Sequence, residues 1–289
     1  KEEVQEQEEE KGQEEGLSLA MTRLAWPLAE LSAQLDALLP GCRVELVEEI
    51  DSTNTELMRR ARAGRAGEAV LLVALRQSAG RGRMGRPWQS QAGEADAAPT
   101  LTFSLGLPLA PRDWSGLSLA VGVAVAEALD PQASAGLALK WPNDLWRQDR
   151  KLAGILIETA TLPGEMSSAT RYAVIGIGIN IGQRDAQGMN TPPAWVREWQ
   201  PDATAPGALA QIAAPLLRTI LAFADTGFAP LAPRFAQRDA LRGRQVQLSD
   251  GTTGLCEGVG WSGELLVHTA AGMQSITSSE VSVRPRAAT

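Results

Sequence analysis

Residues 70–88 read VLLVALRQSAGRGRMGRPW: a β-branched, apolar run from Val70 to Arg76, then a loop of glycine and arginine closed by Trp88. The run has the length and composition of a buried strand. In the loop, Gly80, Gly82 and Gly85 alternate with Arg81, Arg83 and Arg86. Glycine lets backbone N–H groups approach an anion closely. Arginine adds planar donors that never lose their charge, suited to phosphate or carboxylate. A solvated turn explains the segment poorly, because three arginines this close repel unless an anion joins them. An RNA-binding RG tract remains open from these residues alone. There is no G-x-x-x-x-G-K-[ST], so a nucleotide would be held by something other than a P-loop.

Working outward, the hydrophobic pattern alternates between helical and strand periods. Leu24 to Leu39 has apolar residues at helical spacing and stops at Pro40-Gly41; Val44 to Ile50 alternates as a strand. Asp51-Ser52-Thr53-Asn54 supplies cap chemistry for a helix ending near Gly64. After the arginine loop come a polar stretch at 89–99, a strand at Leu101 to Leu107, and an apolar helix at 116–129. Short strands are predicted at 137–140, 145–147, 152–158 and 172–179, then helices at 206–225 and 230–241. Beyond Arg242 four short strands separated by glycine turns, from Val246 to Ile276, read as a small β-barrel. The fold class is α+β: a mixed sheet with helices at 21–241, then an SH3-like barrel at 242–289.

Charge and rare residues exclude several classes. Of the formal net charge of −7, residues 1–15 carry −6 through eight Glu and two Lys. The acidity therefore belongs to a tail, expected to be disordered over 1–20. His268 is the single histidine, and Cys42 and Cys256 are the only cysteines. A structural zinc site needs about four such ligands, and a Ser-His-Asp triad would have to be built on His268. Two cysteines fit a reducing cytoplasm rather than a disulfide framework. The apolar run from Leu117 to Leu129 is too short to span a bilayer. A cytoplasmic location without membrane contact is the expectation.

Three further clusters carry chemistry. Lys140-Trp141-Pro142-Asn143-Asp144 flanks a turn with a lysine and an acid. Lys151-Leu152-Ala153-Gly154-Ile155-Leu156-Ile157-Glu158 opens an apolar strand with a cation and places a glycine inside it, as a closely approaching ligand requires. Gly176-Ile177-Gly178-Ile179-Asn180 repeats the glycine at alternate positions. Each has a bland reading: a turn, a hairpin-edge lysine, tight strand packing. Together they describe an apolar pocket with cations converging at its mouth, suited to activating a carboxylic acid with ATP.

In order and spacing, Ser52-Thr53-Asn54, Gln77, GRGRMGRPW, KWPND, KLAGILIE, GIGIN and a terminal Ser279-Glu280-Val281-Ser282-Val283 resemble the biotin protein ligases over about residues 43–286. The resemblance implies ATP-dependent, AMP-forming ligation of biotin to a lysine of a biotin carboxyl carrier domain, with Mg²⁺ on the ATP phosphates and no assigned protein ligands for it. It implies that Ser52, Thr53, Asn54, Gln77, Gly80, Arg81, Gly82, Arg83, Trp88, Lys151, Gly154 and Gly178 bind biotin. Arg81, Arg83, Arg86, Lys140, Asn143, Lys151 and Asn180 would bind ATP, and Lys151, Arg83 and Asp144 would be catalytic. Met84 stands where the family often has a basic residue. Only about 20 residues lie between the acidic tail and the first strand, too few for a helix-turn-helix, so no nucleic-acid partner is expected. A monomer or weak homodimer is. The rival readings are a lipoate–protein ligase, which shares the catalytic fold, and an RNA-binding module using the arginine loop.

Overall fold

The computed structural model describes residues 26–64, 67–89, 99–161, 170–186, 189, 191–277 and 283–285. The acidic tail, Leu24, most of the 89–99 loop and residues 279–282 lie outside the described residues.

Seven strands form the larger sheet: β1 (Arg43–Ile50), β2 (Val70–Gln77), β3 (Thr100–Leu109), β4 (Leu137–Lys140), β5 (Asp144–Arg147), β6 (Arg150–Thr161) and β7 (Arg171–Asn180). Their order is β1-β2-β3-β7-β6-β5-β4. β1 and β2 are parallel, joined by helix α2 (Thr53–Arg62); every other pair is antiparallel.

Because side chains alternate along a strand and cross-strand partners share a face, the sheet separates into two surfaces. Phe103, Ile177 and Ile155 are partners across β3, β7 and β6, and all are buried. They belong to the main core with residues of α1 (Leu28–Leu38), α3 (Leu117–Leu129) and α4 (Ala205–Thr226). On the opposite surface, α2 covers only one end, where Leu57, Met58 and Ala61 pack on Val70, Leu72, Tyr172 and Val174. The rest of that surface carries Thr102, Ser104, Asp144 and Lys140 with the glycines at 154, 176 and 178, and the site lies there.

Helix α4 is long and apolar enough by composition to cross a membrane, but Leu209, Ile212, Leu216, Leu217, Ile220 and Phe223 are all buried in the common core. It is a core helix. Cys42 and Cys256 are free and buried; burial pushes their thiols up to about 11 and about 12, so both act as packing groups.

The helix expected over 230–241 is much shorter. A 3₁₀ turn at Ala229–Leu231 leads into α5 (Ala232–Ala236), and the chain then leaves helical geometry. Leu139 N–H donates to the Arg238 carbonyl at 2.6 Å, and Ala240 N–H donates to the Leu139 carbonyl at 3.0 Å. Residues 238–240 thus cover the open edge of β4, a tertiary pairing that periodicity cannot reveal.

The second sheet is antiparallel throughout, in the order β11-β10-β9-β8-β12: β8 (Gln245–Leu248), β9 (Thr253–Val259), β10 (Leu265–Thr269), β11 (Gly272–Ile276) and β12 (Val283–Pro285). It is consistent with the expected SH3-like unit and extends it by β12. Val246, Leu248, Cys256, Leu265, Val267 and Val283 join the main core. The turn before β10 docks onto the larger sheet. Fully buried Trp141 donates its indole N–H to the Gly263 carbonyl at 3.0 Å, and Gly263, with φ +85°, lies against Gly116 at the start of α3.

Candidate active site

The motifs, scattered over a hundred residues of sequence, fall into one line across the sheet. Thr102 pairs with Gly178, Gly178 with Gly154, Gly154 with Asp144, and Asp144 with Lys140. Partners share a face, so all five point to the open surface. A parallel row, Leu72, Ser104, Gly176 and Leu156, runs beside it.

Lys151 joins the first row through an irregularity. Leu145 pairs with Ala153, but the next residue, Trp146, pairs with Lys151, so β6 carries an extra residue at Leu152. A bulge of this kind re-aims the side chain before it. Lys151 Nζ consequently lies 2.7 Å from Asp144 Oδ1, and 3.3 Å from where a Cβ on Gly154 would stand. The backbone of Lys151 is fixed as well: its N–H donates to the Pro192 carbonyl, and its carbonyl accepts from Ala194 N–H.

Lys140 is 9% exposed and lies over the Trp146 ring, 5.5 Å from its centroid. Burial brings its ammonium down to about 8; Asp144 opposes that shift, while Lys151, Arg86 and Arg83 reinforce it. The folded value therefore lies below the ordinary 10.5. This group disfavours folding most at pH below about 8, and the penalty is relieved as pH rises towards 10.5. Function runs the other way: a neutral Lys140 cannot hold phosphate. The affinity for a phosphate ligand resting on Lys140 is expected to fall several-fold between pH 7 and 9, and Lys140→Arg, charged throughout, should flatten that fall. A profile unchanged by the substitution would show that Lys140 does not hold the phosphate.

At the N-terminus of α2, capping and pocket-building share one turn. Ser52 Oγ accepts from Thr55 N–H at 3.4 Å, the cap. Gln77 Oε1 accepts from Thr53 N–H at 2.8 Å, and the Thr53 hydroxyl lies 2.7 Å from that of Ser104. Ser104 donates to Asn54 Oδ1 at 2.6 Å; Asn54 Nδ2 donates to Glu158 Oε2 at 3.0 Å; Arg81 pairs with Glu158 Oε1 at 3.0 Å. Ser52, Thr53, Asn54 and Ser104 are all buried. From Thr53 to Asn54 the relay lies in low dielectric, where each bond is strong and each loss costly, and it opens to solvent at Glu158 and Arg81. Gly176 leaves room for Asn54: a Cβ there would collide with its amide.

The arginine loop is a small hairpin. Trp88 N–H donates to the Gly80 carbonyl at 2.8 Å and Gly82 N–H to the Arg86 carbonyl at 2.7 Å, with the turn at Arg83–Gly85. It lays the Trp88 indole across Gly178, whose missing Cβ would overlap the ring, and beside Gly154. Lys151 Nζ lies 5.9 Å from the ring centroid. Burial lowers the Arg83 guanidinium, with Asp144 opposing and Arg86 reinforcing that shift. Arg83 also borders a cavity of about 560 Å³ between the sheet and the Gly263 turn, together with Pro142, Asn143 and Ile155.

The glycine positions were expected to admit a ligand; in this structure Asn54 and Trp88 occupy them. Arg81, expected to meet the carboxylate or phosphate of a ligand, here meets the carboxylate of Glu158. Asn143 Nδ2 donates to the Ile155 carbonyl at 2.8 Å, bracing the turn after the cis Trp141–Pro142 bond. Asn180 turns inward: its Nδ2 donates to the carbonyls of Lys151 and Ala194, and its Oδ1 accepts from Arg184. Sequence reasoning missed Ser104, Glu158 and Arg184. The signal for Ser104 was present, since Thr100, Thr102 and Ser104 alternate with apolar residues along β3.

Residues 46–180 match the model of the biotin/lipoate A/B protein ligase family. The chain is 34% identical over 266 residues to the bifunctional ligase/repressor BirA of Escherichia coli, covering 89% of this chain and 79% of that protein. The chain belongs to this family. A second relative, the biotin–[acetyl-CoA-carboxylase] ligase of Paracoccus denitrificans, is 35% identical over 257 residues, 82% of this chain and 98% of its own length. The biotin protein ligase from Aquifex aeolicus, solved in complex with biotin and ATP, superposes with a TM-score of 0.68 at 28% identity, covering 84% of this chain and 99% of that one. The likeness to that structure extends over most of the chain, well beyond the segment that the family model matches. Among the described residues no group of three or more His, Cys, Asp or Glu could hold a metal.

Proposed function

We propose that the chain is a biotin–protein ligase: it joins biotin to ATP as biotinyl-5′-AMP, releasing pyrophosphate, then passes biotin to a lysine of the biotin carboxyl carrier domain of acetyl-CoA carboxylase. The observation that carries this reading is the Thr102–Gly178–Gly154–Asp144–Lys140 row with Lys151 thrown onto it by the bulge. Two glycines without side chains lead to two lysines and a carboxylate, and the Trp88 indole that lies on them here would lift to become the roof over a bound ligand.

The first step brings the biotin carboxylate against the α-phosphate of ATP. Two unit charges at ~4 Å repel by about 4 kcal/mol at an effective dielectric near 20, a deficit of about three orders of magnitude in rate. Lys151, Lys140 and Arg83 surround that point and reverse the sign. When Lys151 turns from Asp144 to the ligand, Asp144 is left with an open oxygen. In the second step an amine attacks the mixed anhydride. With an ordinary pKa near 10.4, only about one lysine in 2,500 is neutral at pH 7. Asp144 orients the incoming ammonium and takes its proton. The acceptor lysine would enter through the cavity bordered by Arg83 and Asn143. With no acidic cluster among the described residues, Mg²⁺ would arrive on the ATP phosphates and neutralise them there.

The direct test is incubation with ATP, Mg²⁺, biotin and a carrier domain, read by intact mass. The carrier should gain one biotinyl group and gain nothing when lipoate replaces biotin. An unmodified carrier would overturn the reading. Arg83→Gly is expected to loosen the cover over the intermediate, so that biotinyl-AMP escapes and labels lysines of a bystander protein. A variant that is inactive yet labels nothing would show that Arg83 acts in chemistry alone.

A further inference from the structure

Arg184 lies four residues beyond the end of the GIGIN strand, and none of the chemistry above uses it. It is 6% exposed, and among the described residues no carboxylate pairs with it. A buried cation without a counter-ion is expensive, and burial alone lowers its guanidinium. The fold retains it through three contacts. Nη1 donates to Asn180 Oδ1 at 2.8 Å, Nη2 donates to the Gln89 carbonyl at 2.6 Å, and the guanidinium carbon lies 5.5 Å from the Trp88 ring centroid. Nε is buried with no hydrogen-bond partner among the described residues.

These contacts connect two parts of the site that the sheet does not. Gln89 directly follows Trp88 and terminates the arginine hairpin. Asn180 passes the connection on, donating to the Lys151 carbonyl at 3.1 Å. The Trp88 ring therefore has Lys151 and Arg184 as cationic neighbours at 5.9 and 5.5 Å. The tip of the hairpin stands out from the sheet, with Met84 61% exposed, while Arg81 reaches Thr55 and Glu158 at the rim. A planar fork that spans a backbone carbonyl, an amide and an aromatic face is a task for arginine that lysine cannot duplicate.

We propose that Arg184 is a positioning residue for the ligase reaction, latching the end of the arginine hairpin to the Asn180–Lys151 segment so that Trp88 stays over the Gly154–Gly178 floor and the acyl adenylate is retained. The inference rests on the ligase reading, and adenylate formation by the unaltered chain, measured first, tests that reading separately. Arg184 touches no reacting atom; it acts through Trp88.

The experiment compares R184Q, R184K, W88A and the double variant R184Q/W88A. Each is loaded with biotinyl-AMP, and release is followed together with the KM for biotin and kcat. R184Q should release the adenylate at least tenfold faster and raise the KM for biotin while moving kcat less. R184K, with charge but no fork, should restore part of the loss. Because Arg184 acts through Trp88, the double variant should release no faster than W88A. Release by R184Q at the unaltered rate would overturn the latch, as would effects of R184Q and W88A that multiply in the double variant. If R184Q does not fold, R184K and its double with W88A carry the same comparison.

Discussion

Lys151→Ala will slow formation of biotinyl-AMP by roughly two to three orders of magnitude, yet transfer biotin from preformed adenylate at nearly the normal rate. The reason is where the positive charge is needed. Adenylate formation forces a carboxylate and a phosphate together, and Lys151 Nζ stands at the end of the glycine floor where they would meet. Once the anhydride exists, one of the two repelling charges is gone and the lysine has less to do. Asp144→Asn should show the opposite pattern. It removes the partner 2.7 Å from Lys151, but the lysine remains tied to β6 and its charge remains available, so adenylate still forms. Transfer to the carrier falls about a hundredfold, because an amide cannot take the ammonium's proton. Pyrophosphate release measures the first half-reaction. Supplying biotinyl-AMP and carrier domain isolates the second. Rescue of Lys151→Ala but not of Asp144→Asn is expected; equal rescue, or the reverse, would dissolve the division of labour.

The pairing of these two residues shows what was and was not legible in the sequence. Each motif could be recognised from local chemistry: an arginine loop after a strand, a lysine opening an apolar strand, glycines at alternate positions. The strand assignments for β1 to β7 follow from alternation at 44–50 and from short apolar runs between turns elsewhere. Register is a different kind of information. That Gly178, Gly154, Asp144 and Lys140 form one row depends on the register between the successive strands β4 to β7, and that Thr102 joins it depends on β3 pairing with β7 across some seventy residues of chain; nothing within any one strand states either. The bulge at Leu152 is less visible still, because KLAGIL read as a regular strand would point Lys151 and Gly154 to opposite faces. Glu158 illustrates a third gap. It stands in the recognised KLAGILIE run, but its role is to bind Asn54 and Arg81, which come from 104 and 77 residues upstream. Residues 238–240 failed as helix for the same reason: the edge of β4 offered their backbone a better partner than the helix did.

The two strand glycines should fail in different ways when each becomes alanine, and the contrast separates the fixed half of the pocket from its movable cover. At Gly176 a Cβ would meet the Asn54 amide, which is 3% exposed and held by Ser104, Glu158 and the Leu156 carbonyl. Nothing there can yield cheaply. Overpacking costs about 1–3 kcal/mol, and breaking the relay leaves buried polar groups unpaired at about 1–3 kcal/mol more. Gly176→Ala should therefore weaken biotin binding about a hundredfold or more, at 1.4 kcal/mol per factor of ten, and lower the melting temperature. At Gly178 a Cβ would meet the Trp88 ring instead. Trp88 belongs to a hairpin that can swing outward, so the sheet survives and the cover is displaced. Gly178→Ala should keep a near-normal melting temperature and lose biotin affinity about tenfold. It should also leak biotinyl-AMP, labelling bystander lysines as Arg83→Gly does. Calorimetric titration with biotin, thermal melts and the bystander assay on both variants decide the matter. Equal loss of affinity and stability in the two would mean that Trp88 is as firmly built into the sheet as Asn54, and the hairpin would then be no cover at all.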